Sequence, residues 1–443
     1  MRFALKLEAC VRIVKAVLAV SVVATTALVA GCGGGGGGDS SSSSNSNSGP
    51  NQQPIAANAA NTVAVTVDQG VASIINIPTV TVTVCVPNTT NCATIDHVLL
   101  DTGSYGLRVV STALGSLVNT LGIQQATAGG QLAECTHFAD GYTWGTTRLA
   151  DVKISGETAS NIPIQVIGDM PDSTIPSSGC VNGANENTAA ALGANGIIGL
   201  GVAPVDCGTA CSVQANVAQF SNYYACPNGA NCTRTLAETT KQVANPIPNF
   251  PVDNNGVIVQ MAPISANGAA TATGTVVFGI GTQSNNGNAA ATTYTTDASG
   301  DLVNSKFNGS TIRTFMDSGS NGYFFQDSSL AMCGGGLSSF YCPSSTQQRT
   351  VNLVGANGAT GSATVNIANA QTLLSNASNY AFNDLGGQIG SLSAFDLGLP
   401  FFFGRYVYYG IDKRASLPVF NPSVPAQAIP DRPRDRAVEM VER

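Results

Sequence analysis

Short stretches in which apolar and polar residues alternate recur along most of the chain and predict β-strands. Residues 62–67 (Thr-Val-Ala-Val-Thr-Val), 80–84 (Val-Thr-Val-Thr-Val) and much of 351–367 carry this period of two and are rich in β-branched residues. Residues 256–260 and 275–279 add short apolar runs. No amphipathic helical pattern is long enough to predict a helical bundle. The pattern therefore predicts a mainly β fold.

Two apolar runs end in nearly the same four residues. Residues 98–104 read Val-Leu-Leu-Asp-Thr-Gly-Ser, and residues 314–320 read Thr-Phe-Met-Asp-Ser-Gly-Ser. No other Asp in the chain is followed by Thr or Ser and then Gly. Each run predicts a buried strand that delivers an aspartate to a glycine turn. We expect a duplicated fold to bring Asp101 and Asp317 face to face.

A simpler interpretation is that both motifs are surface turns, because Asp-Ser/Thr-Gly is common turn chemistry. Matching elements further along the chain favour the paired interpretation. Residues 196–201 (Gly-Ile-Ile-Gly-Leu-Gly) follow the first motif, and residues 397–404 (Leu-Gly-Leu-Pro-Phe-Phe-Phe-Gly) follow the second. Glycines in such runs permit close backbone approach, so each run is expected to pack beneath its aspartate.

Composition narrows the class of protein. Only 10% of the 443 residues are charged, against about 25% in an ordinary soluble domain. The net charge is −7, and no basic stripe exists. Nucleic-acid binding is therefore a poor hypothesis, and we expect a monomer that acts outside the cytoplasm.

The beginning of the chain has the pattern of a targeting segment. Residues 1–32 combine basic residues up to Lys15, an apolar stretch and the ending Leu-Val-Ala-Gly-Cys, which predicts a secretory signal. The ending resembles a bacterial lipobox, which implies cleavage before Cys32 and lipidation of its sulfur. An uncleaved membrane anchor is the alternative, although the stretch is short for a spanning helix. Gly33 in place of Asp favours the outer membrane of the cell envelope.

Low-complexity sequence flanks the predicted folded body. Residues 33–61 begin with six glycines and continue with Ser and Asn, which predicts a flexible tether. Residues 421–443 carry Pro and alternating charges, which predict a disordered tail.

Ten cysteines lie in the predicted body. Exported chains use cysteine mainly in disulfides, whereas a zinc site needs four ligands at suitable spacing. We therefore predict no metal. Proximity in the sequence favours five pairs, although spacing alone cannot prove them: Cys85–Cys92, Cys135–Cys180, Cys207–Cys211, Cys226–Cys232 and Cys333–Cys342.

The paired motifs predict acid–base chemistry. Two facing carboxylates cannot both ionise cheaply, so they share a proton. The charged one can take a proton from water while the neutral one protonates a carbonyl oxygen. Thr102 and Ser318 are expected to bond across the interface, and Ser104 and Ser320 to bond the outer carboxylate oxygens. Gly103 and Gly319 permit close approach of the turns.

Together and in this order, these motifs resemble the pepsin-like aspartic peptidases over roughly residues 62–415. The whole chain, lipobox included, also resembles a proteobacterial set of exported proteins, domain-of-unknown-function family 3443. The resemblance implies a bilobal β fold, with lobes at residues 62–280 and 281–420 and one active-site Asp in each. It further implies a peptide or protein substrate in the interlobe cleft, and hydrolysis by an activated water without cofactor or metal.

The resemblance also assigns a flap over the cleft. It puts Phe138 where the family has a flap tyrosine, with Tyr142 or Trp144 as alternative sources of a polar group. The only histidines, His97 and His137, are not expected to be catalytic. Two further hypotheses remain: a non-catalytic lipoprotein that binds peptides or proteins in the same cleft, and a structural surface lipoprotein.

Overall fold

The computed structural model describes residues 52–288, 292–389, 393–412 and 438–441. The predicted leader, with its lipidation site Cys32, lies outside the described residues, as does most of the predicted tether. Within the described residues, no helix has the length and apolar character needed to cross a membrane.

Strands dominate the first half of the chain, as the alternating pattern predicts. They are β1 Thr62–Val67, β2 Pro78–Cys85, β3 Cys92–Asp101, β4 Tyr105–Val110, β5 Gln131–His137, β6 Gly141–Ile154, β7 Glu157–Ile167, β8 Ala184–Asn185, β9 Gly196–Leu200, β10 Tyr223–Cys226, β11 Thr233–Arg234, β12 Gly256–Met261 and β13 Ala272–Phe278.

The second half is also built mainly from strands. They are β14 Thr292–Tyr294, β15 Leu302–Phe307, β16 Ser310–Asp317, β17 Tyr323–Phe324, β18 Gln347–Val354, β19 Thr360–Ile367, β20 Gly386–Gly387, β21 Ala394–Gly398, β22 Tyr406–Gly410 and β23 Val438–Val441.

Helices in the described residues are short and lie in the connections. The α-helices are α1 Ser111–Leu114, α2 Ala189–Leu192, α3 Thr209–Ser212, α4 Gln214–Phe220, α5 Ala370–Leu373 and α6 Leu399–Phe402. Single 3₁₀ turns cover Gly115–Asn119, Asp172–Thr174, Pro227–Gly229, Thr239–Lys241, Ile247–Asn249 and Gly335–Leu337.

The described strands form two sheets. The larger runs in the order β11-β10-β5-β6-β7-β4-β9-β3-β2-β1-β13-β12-β22-β23-β14, with β8 beside β6. The smaller runs β19-β18-β15-β16-β21-β17-β20. Because β12 of the first half pairs with β22 of the second, the larger sheet also joins the two halves. The predicted mainly β, two-lobed architecture is confirmed, while the predicted lobe boundary at residues 280 and 281 stays a prediction.

The two halves repeat one local arrangement. Strand β3 pairs in parallel with β9, and β9 pairs in the opposite sense with β4, which follows the first motif. Strand β16 pairs in parallel with β21, and β21 pairs in the opposite sense with β17, which follows the second motif. Each aspartate therefore ends a strand whose neighbour is the downstream apolar-glycine element, as the sequence predicts.

The core continues from one half into the other. A single cluster of buried apolar side chains includes Leu100 of β3, Val259 of β12 and Met316 of β16. Phe395 of β21 belongs to the same cluster and stacks on Phe325, with ring centroids 4.3 Å apart. The strands that carry the two aspartates are thus anchored in one packed interior.

All five predicted disulfide pairs are present among the described residues: Cys85–Cys92, Cys135–Cys180, Cys207–Cys211, Cys226–Cys232 and Cys333–Cys342. Stable disulfides form in oxidising compartments and are rare in the cytosol. The pairing therefore fits an exported protein.

The structure differs from the predicted tether and tail at their edges. The described end of the tether, residues 52–61, packs on the body: the Ile55 N–H donates to Gln260 Oε1, and the Asn61 side chain is buried and donates to Phe278 O. Within the predicted tail, residues 438–441 form strand β23 between β22 and β14. Unpaired backbone groups along an edge strand accept such additions readily. The rest of residues 421–443 lies outside the described residues.

Candidate active site

The two motifs meet in the interior of the molecule. Asp101 is 2% exposed and Asp317 is fully buried, because each ends a strand of apolar residues that packs into the core. The Gly103 N–H donates to Oδ1 of Asp101 at 2.8 Å, and the Gly319 N–H donates to Oδ1 of Asp317 at 2.9 Å. Each turn therefore holds its own carboxylate in the same way.

Reciprocal hydrogen bonds join the two turns. The Thr102 N–H donates to Ser318 Oγ at 3.1 Å, and the Ser318 N–H donates to Thr102 Oγ1 at 2.9 Å. Each hydroxyl then donates to the strand of the opposite motif: Ser318 Oγ to Leu100 O at 2.7 Å, and Thr102 Oγ1 to Met316 O at 3.4 Å. These four buried bonds fix the relative position of the two halves at the site.

The two carboxylates converge on one point. A Cβ atom placed on Gly319 would lie 2.7 Å from Oδ1 of Asp101 and 3.2 Å from Oδ1 of Asp317. A real Cβ does not fit at the first of these distances, so only glycine allows the turn to pass this close. Asp101 and Asp317 therefore both lie beside the same point, next to Gly319.

The downstream glycine elements lie against the same turns. Asp101 pairs with Gly199 in the β3–β9 register, and Asp317 pairs with Gly398 in the β16–β21 register. A Cβ on Gly199 would lie 2.6 Å from the backbone of Ser104, and one on Gly398 would lie 2.6 Å from Ser320 O. The structure thus gives a steric reason for the repeated glycine.

Ser104 and Ser320, the last residues of the two motifs, differ in their hydrogen bonds. Ser320 Oγ lies 3.1 Å from Oδ2 of Asp317, as predicted. Ser104 Oγ is buried and has no hydrogen-bond partner within the described part of the chain, although the sequence predicts a bond to Asp101. Ser104 lies against the backbone of Gly199, so its position is set by packing. The duplicated site is therefore not symmetric in its polar contacts.

The aromatic residues assigned to the flap are buried in its hairpin, β5–β6. Phe138 lies at the hairpin tip and packs in an apolar cluster with Leu99 and Ile197, the neighbours of the first motif. Trp144 is fully buried, and its indole N–H donates to Thr174 Oγ1 at 3.0 Å. Tyr142 is buried beside Trp144. A role for any of the three in substrate contact stays a prediction.

A buried ionic cluster holds the hairpin to the strand that follows the first motif. Arg108 of β4 donates to Glu134 of β5 at 2.6 Å and to Asp206 at 3.2 Å. Burial and the charge of Glu134 raise the pKa of Asp206 well above its usual value. Burial opposes the charge of Glu134, but the charge of Arg108 and the hydrogen bonds from Asp206, Arg108 and Thr136 together lower the Glu134 pKa. The cluster thus places one cation between two buried carboxyl groups, and the raised pKa of Asp206 favours its protonated form.

A loop between β1 and β2 bridges the two halves beside the second motif. Asn76 is fully buried and has a φ of 53°. Its Nδ2 donates to Asn321 O at 2.8 Å and to Phe382 O at 2.9 Å, and its Oδ1 accepts from the Phe382 N–H at 2.7 Å. The neighbouring Ile75 packs into an apolar cluster of the second half. This loop therefore borders the site where the second motif ends.

Two of the residues at this site escape sequence reasoning. Asp396 of β21 is fully buried, and its Oδ2 lies 2.7 Å from Ser320 Oγ. A charge inside the apolar run Ala-Phe-Asp-Leu-Gly is the signal that could have found it, because carboxylates are rarely buried without a purpose. Asn76 gives no comparable signal, since its partners lie far along the chain.

The described ranges include no group of three or more His, Cys, Asp or Glu side chains arranged to hold a metal ion. The predicted absence of metal and cofactor stays a prediction.

Two β-rich halves, each delivering one aspartate to a shared central site, define a protein of the pepsin-like fold class. The family model described as "Protein of unknown function (DUF3443)" matches residues 57–424, so the chain belongs to that family. No curated protein matches the sequence. One similar solved structure is an aspartic proteinase from Irpex lacteus, with 17% sequence identity and a TM-score of 0.43. The match covers 80% of this chain and 94% of that one.

Proposed function

We propose that this chain is an aspartic endopeptidase in which Asp101 and Asp317 activate water between them. The observation that carries the proposal is the convergence of both carboxylates on Gly319, held there by the reciprocal Thr102–Ser318 bonds. Such rigidity is what acid–base catalysis requires of its groups. Two separate surface turns would not require their carboxylates to be held in a fixed relative position.

The proposed reaction is hydrolysis of a peptide bond. One carboxylate takes a proton from water, whose oxygen bonds to the peptide carbonyl carbon, while the other carboxyl gives its proton to the carbonyl oxygen. The tetrahedral diol then collapses: the pair gives the nitrogen the proton that it took from water, a hydroxyl proton of the diol returns to the pair, and the C–N bond breaks. The products are a carboxylic acid and an amine, and the pair regains its starting protonation.

Peptide cleavage tests this proposal. The purified protein is incubated with a synthetic peptide library from acid to neutral pH, and products are identified by mass spectrometry. We expect cleavage that falls by about a thousandfold or more in Asp101→Asn and in Asp317→Asn, because each removes a group that acts in the transition state. Asp96→Asn is the matched control, since Asp96 is an exposed aspartate on the same strand as Asp101.

A folded parent protein that cleaves no peptide at any pH would contradict the proposal and favour a binding protein that uses the same cleft. Two observations favour this second candidate: Ser104 makes no bond to Asp101, and the residue at the hairpin tip is a phenylalanine without a hydroxyl. Thermal shift with pepstatin separates the two. A shift that disappears in Asp317→Asn supports catalysis, and binding of a peptide that both Asp→Asn variants retain supports the alternative.

The proposed anchoring follows from the leader. We infer that the chain is exported, lipidated on Cys32 and held in the cell envelope, with the outer membrane favoured. The lipobox-like ending at residues 28–32 and the five disulfides support this inference. Labelling of the expressed protein with a tagged fatty acid is expected, and it should be lost in Cys32→Ser. Equal labelling of the two proteins would contradict lipidation at this residue.

A further inference from the structure

The two halves of the site differ at one pair of equivalent positions. In the first half, Leu99 pairs with Ile197 two positions before the Asp101–Gly199 pair. In the second half, Phe315 pairs with Asp396 two positions before the Asp317–Gly398 pair. An apolar residue in one copy is therefore a fully buried carboxylate in the other. The serines follow the same asymmetry, because Ser320 contacts Asp396 and Ser104 has no such neighbour.

The contacts of Ser320 show how many protons the two neighbouring carboxyl groups carry. Its Oγ lies 2.7 Å from Oδ2 of Asp396 and 3.1 Å from Oδ2 of Asp317. A hydroxyl has one proton and can donate it to one carboxylate at a time, whereas an ionised carboxylate only accepts. Both contacts are hydrogen bonds only when one of the two carboxyl groups is protonated and donates to Ser320. Asp317, Ser320 and Asp396 therefore form a hydrogen-bonded row in which one of the two carboxyl groups is protonated.

Burial strengthens this conclusion. Removing an ionised carboxylate from water is costly unless it is paired, so two adjacent buried carboxyl groups favour a shared proton. Backbone alternation directs Phe395 and Asp396 to opposite faces of β21, which places Asp396 away from the aromatic stack of Phe395 and Phe325. The charged and titratable groups near β21 include Asp317 and Arg313 of β16 and Tyr323 of β17, together with Arg405 and Asp384, which both interact with Tyr323.

We propose that Asp396 is a positioning residue that holds the Ser320 hydroxyl against Asp317 and exchanges a proton with Asp317 through that hydroxyl. This inference rests on the proposed function and deepens it. The exchange is balanced: a proton on Asp396 passes to Ser320 Oγ as the Ser320 proton passes to Asp317, and the reverse restores the start. Asp317, unlike Asp101, can thereby exchange a proton with a second buried carboxyl group, that of Asp396.

The pH profile of peptide cleavage tests the proposal. Asp396→Asn keeps the shape of the side chain but cannot exchange a proton. We expect kcat to fall about tenfold to a hundredfold with little change in KM, and the pH profile of kcat to change shape. Thr314→Val is the matched control, because Thr314 is a fully buried residue at the neighbouring register position of the same two strands. An unchanged profile in Asp396→Asn, or the same change in Thr314→Val, would overturn the proposal.

Infrared spectroscopy tests the proton itself and does not depend on activity. We expect the folded parent at neutral pH to show a protonated-carboxyl C=O band that is lost or shifted in Asp396→Asn and in Ser320→Ala. A band unaffected by both variants contradicts the shared proton, even in a protein that cleaves peptides. A protein that cleaves nothing but shows the expected band retains the shared proton while the proposed function fails. Ser320→Ala decides the question if Asp396→Asn does not fold.

Discussion

At the scale of single residues, buried carboxyl groups distinguish this protein. Asp101, Asp317 and Asp396 are each no more than 2% exposed, and a single hydroxyl, that of Ser320, contacts two of them. Asp384 is another buried carboxyl group, 6% exposed, and burial raises its pKa to about 7. The protein accommodates these groups through hydrogen bonds and bound protons, which makes its stability depend on pH.

Asp384 gives a prediction about that dependence. From its ordinary pKa of 3.8 up to about 7, the folded protein keeps a proton on Asp384 that the unfolded chain has lost. The free energy of unfolding therefore falls as pH rises through this window. Asp384→Asn should remove this fall and, above the window, stabilise the protein by up to about 4 kcal/mol.

Urea unfolding of both proteins at acid and neutral pH measures the difference. Parent and Asp384→Asn are expected to differ least at the acid end and most at neutral pH. A difference that stays constant across the window would mean that Asp384 titrates alike in the folded and unfolded protein.

The sequence identifies some of these residues and not others, for a physical reason. Asp101 and Asp317 stand in a repeated motif, so they are recognisable without coordinates. Asp396 is marked in the sequence only as a charge inside an apolar run, and its relation to the site depends on its contact with Ser320, which lies 76 positions away. The missing bond of Ser104 is likewise invisible, because both serines occupy equivalent places in the motif and only their surroundings differ.

At the scale of elements, the repeated unit is a strand, a glycine turn and a later strand inserted beside the first. The apolar runs and glycines of residues 98–104 and 196–201 were sufficient to predict this unit. Burial requires apolar residues and close backbone approach requires glycine, and both are visible in the sequence. The loop that carries Asn76 has no comparable sequence pattern. Its bonds join residues 245 and 306 positions apart, and nothing local specifies them.

The Asn76 loop gives the prediction at this scale. Asn76→Ala removes three side-chain hydrogen bonds between the halves and places alanine at a positive φ. Asn88→Ala is the matched control, because Asn88 has a φ of 60° and is exposed. We expect Asn76→Ala to lower the free energy of unfolding by roughly 2–3 kcal/mol more than Asn88→Ala, at about 1 kcal/mol per bond.

Denaturant titration of the oxidised proteins measures this difference. Equal losses in the two variants would show that the cost comes from the backbone conformation and that the bonds between the halves contribute nothing.

At the scale of the whole molecule, one site is assembled from two halves of the chain. Strands β12 and β22 join the halves in one sheet, the core is continuous, and the turns exchange reciprocal hydrogen bonds. The sequence predicted the duplication and the disulfides because both follow from local motifs and spacing. The shared sheet depends on strand partners from opposite ends of the chain, which alternation alone does not identify.

The central claim is that Asp101 and Asp317 act as one catalytic unit, and a double-mutant cycle on peptide cleavage tests it most directly. The kcat/KM of Asp101→Asn, Asp317→Asn and the double variant is compared with that of the parent. We predict that the double variant is no slower than either single variant, because losing one member of a shared pair already removes the function of both. Losses that multiply in the double variant, or cleavage that survives either single change, would contradict the claim.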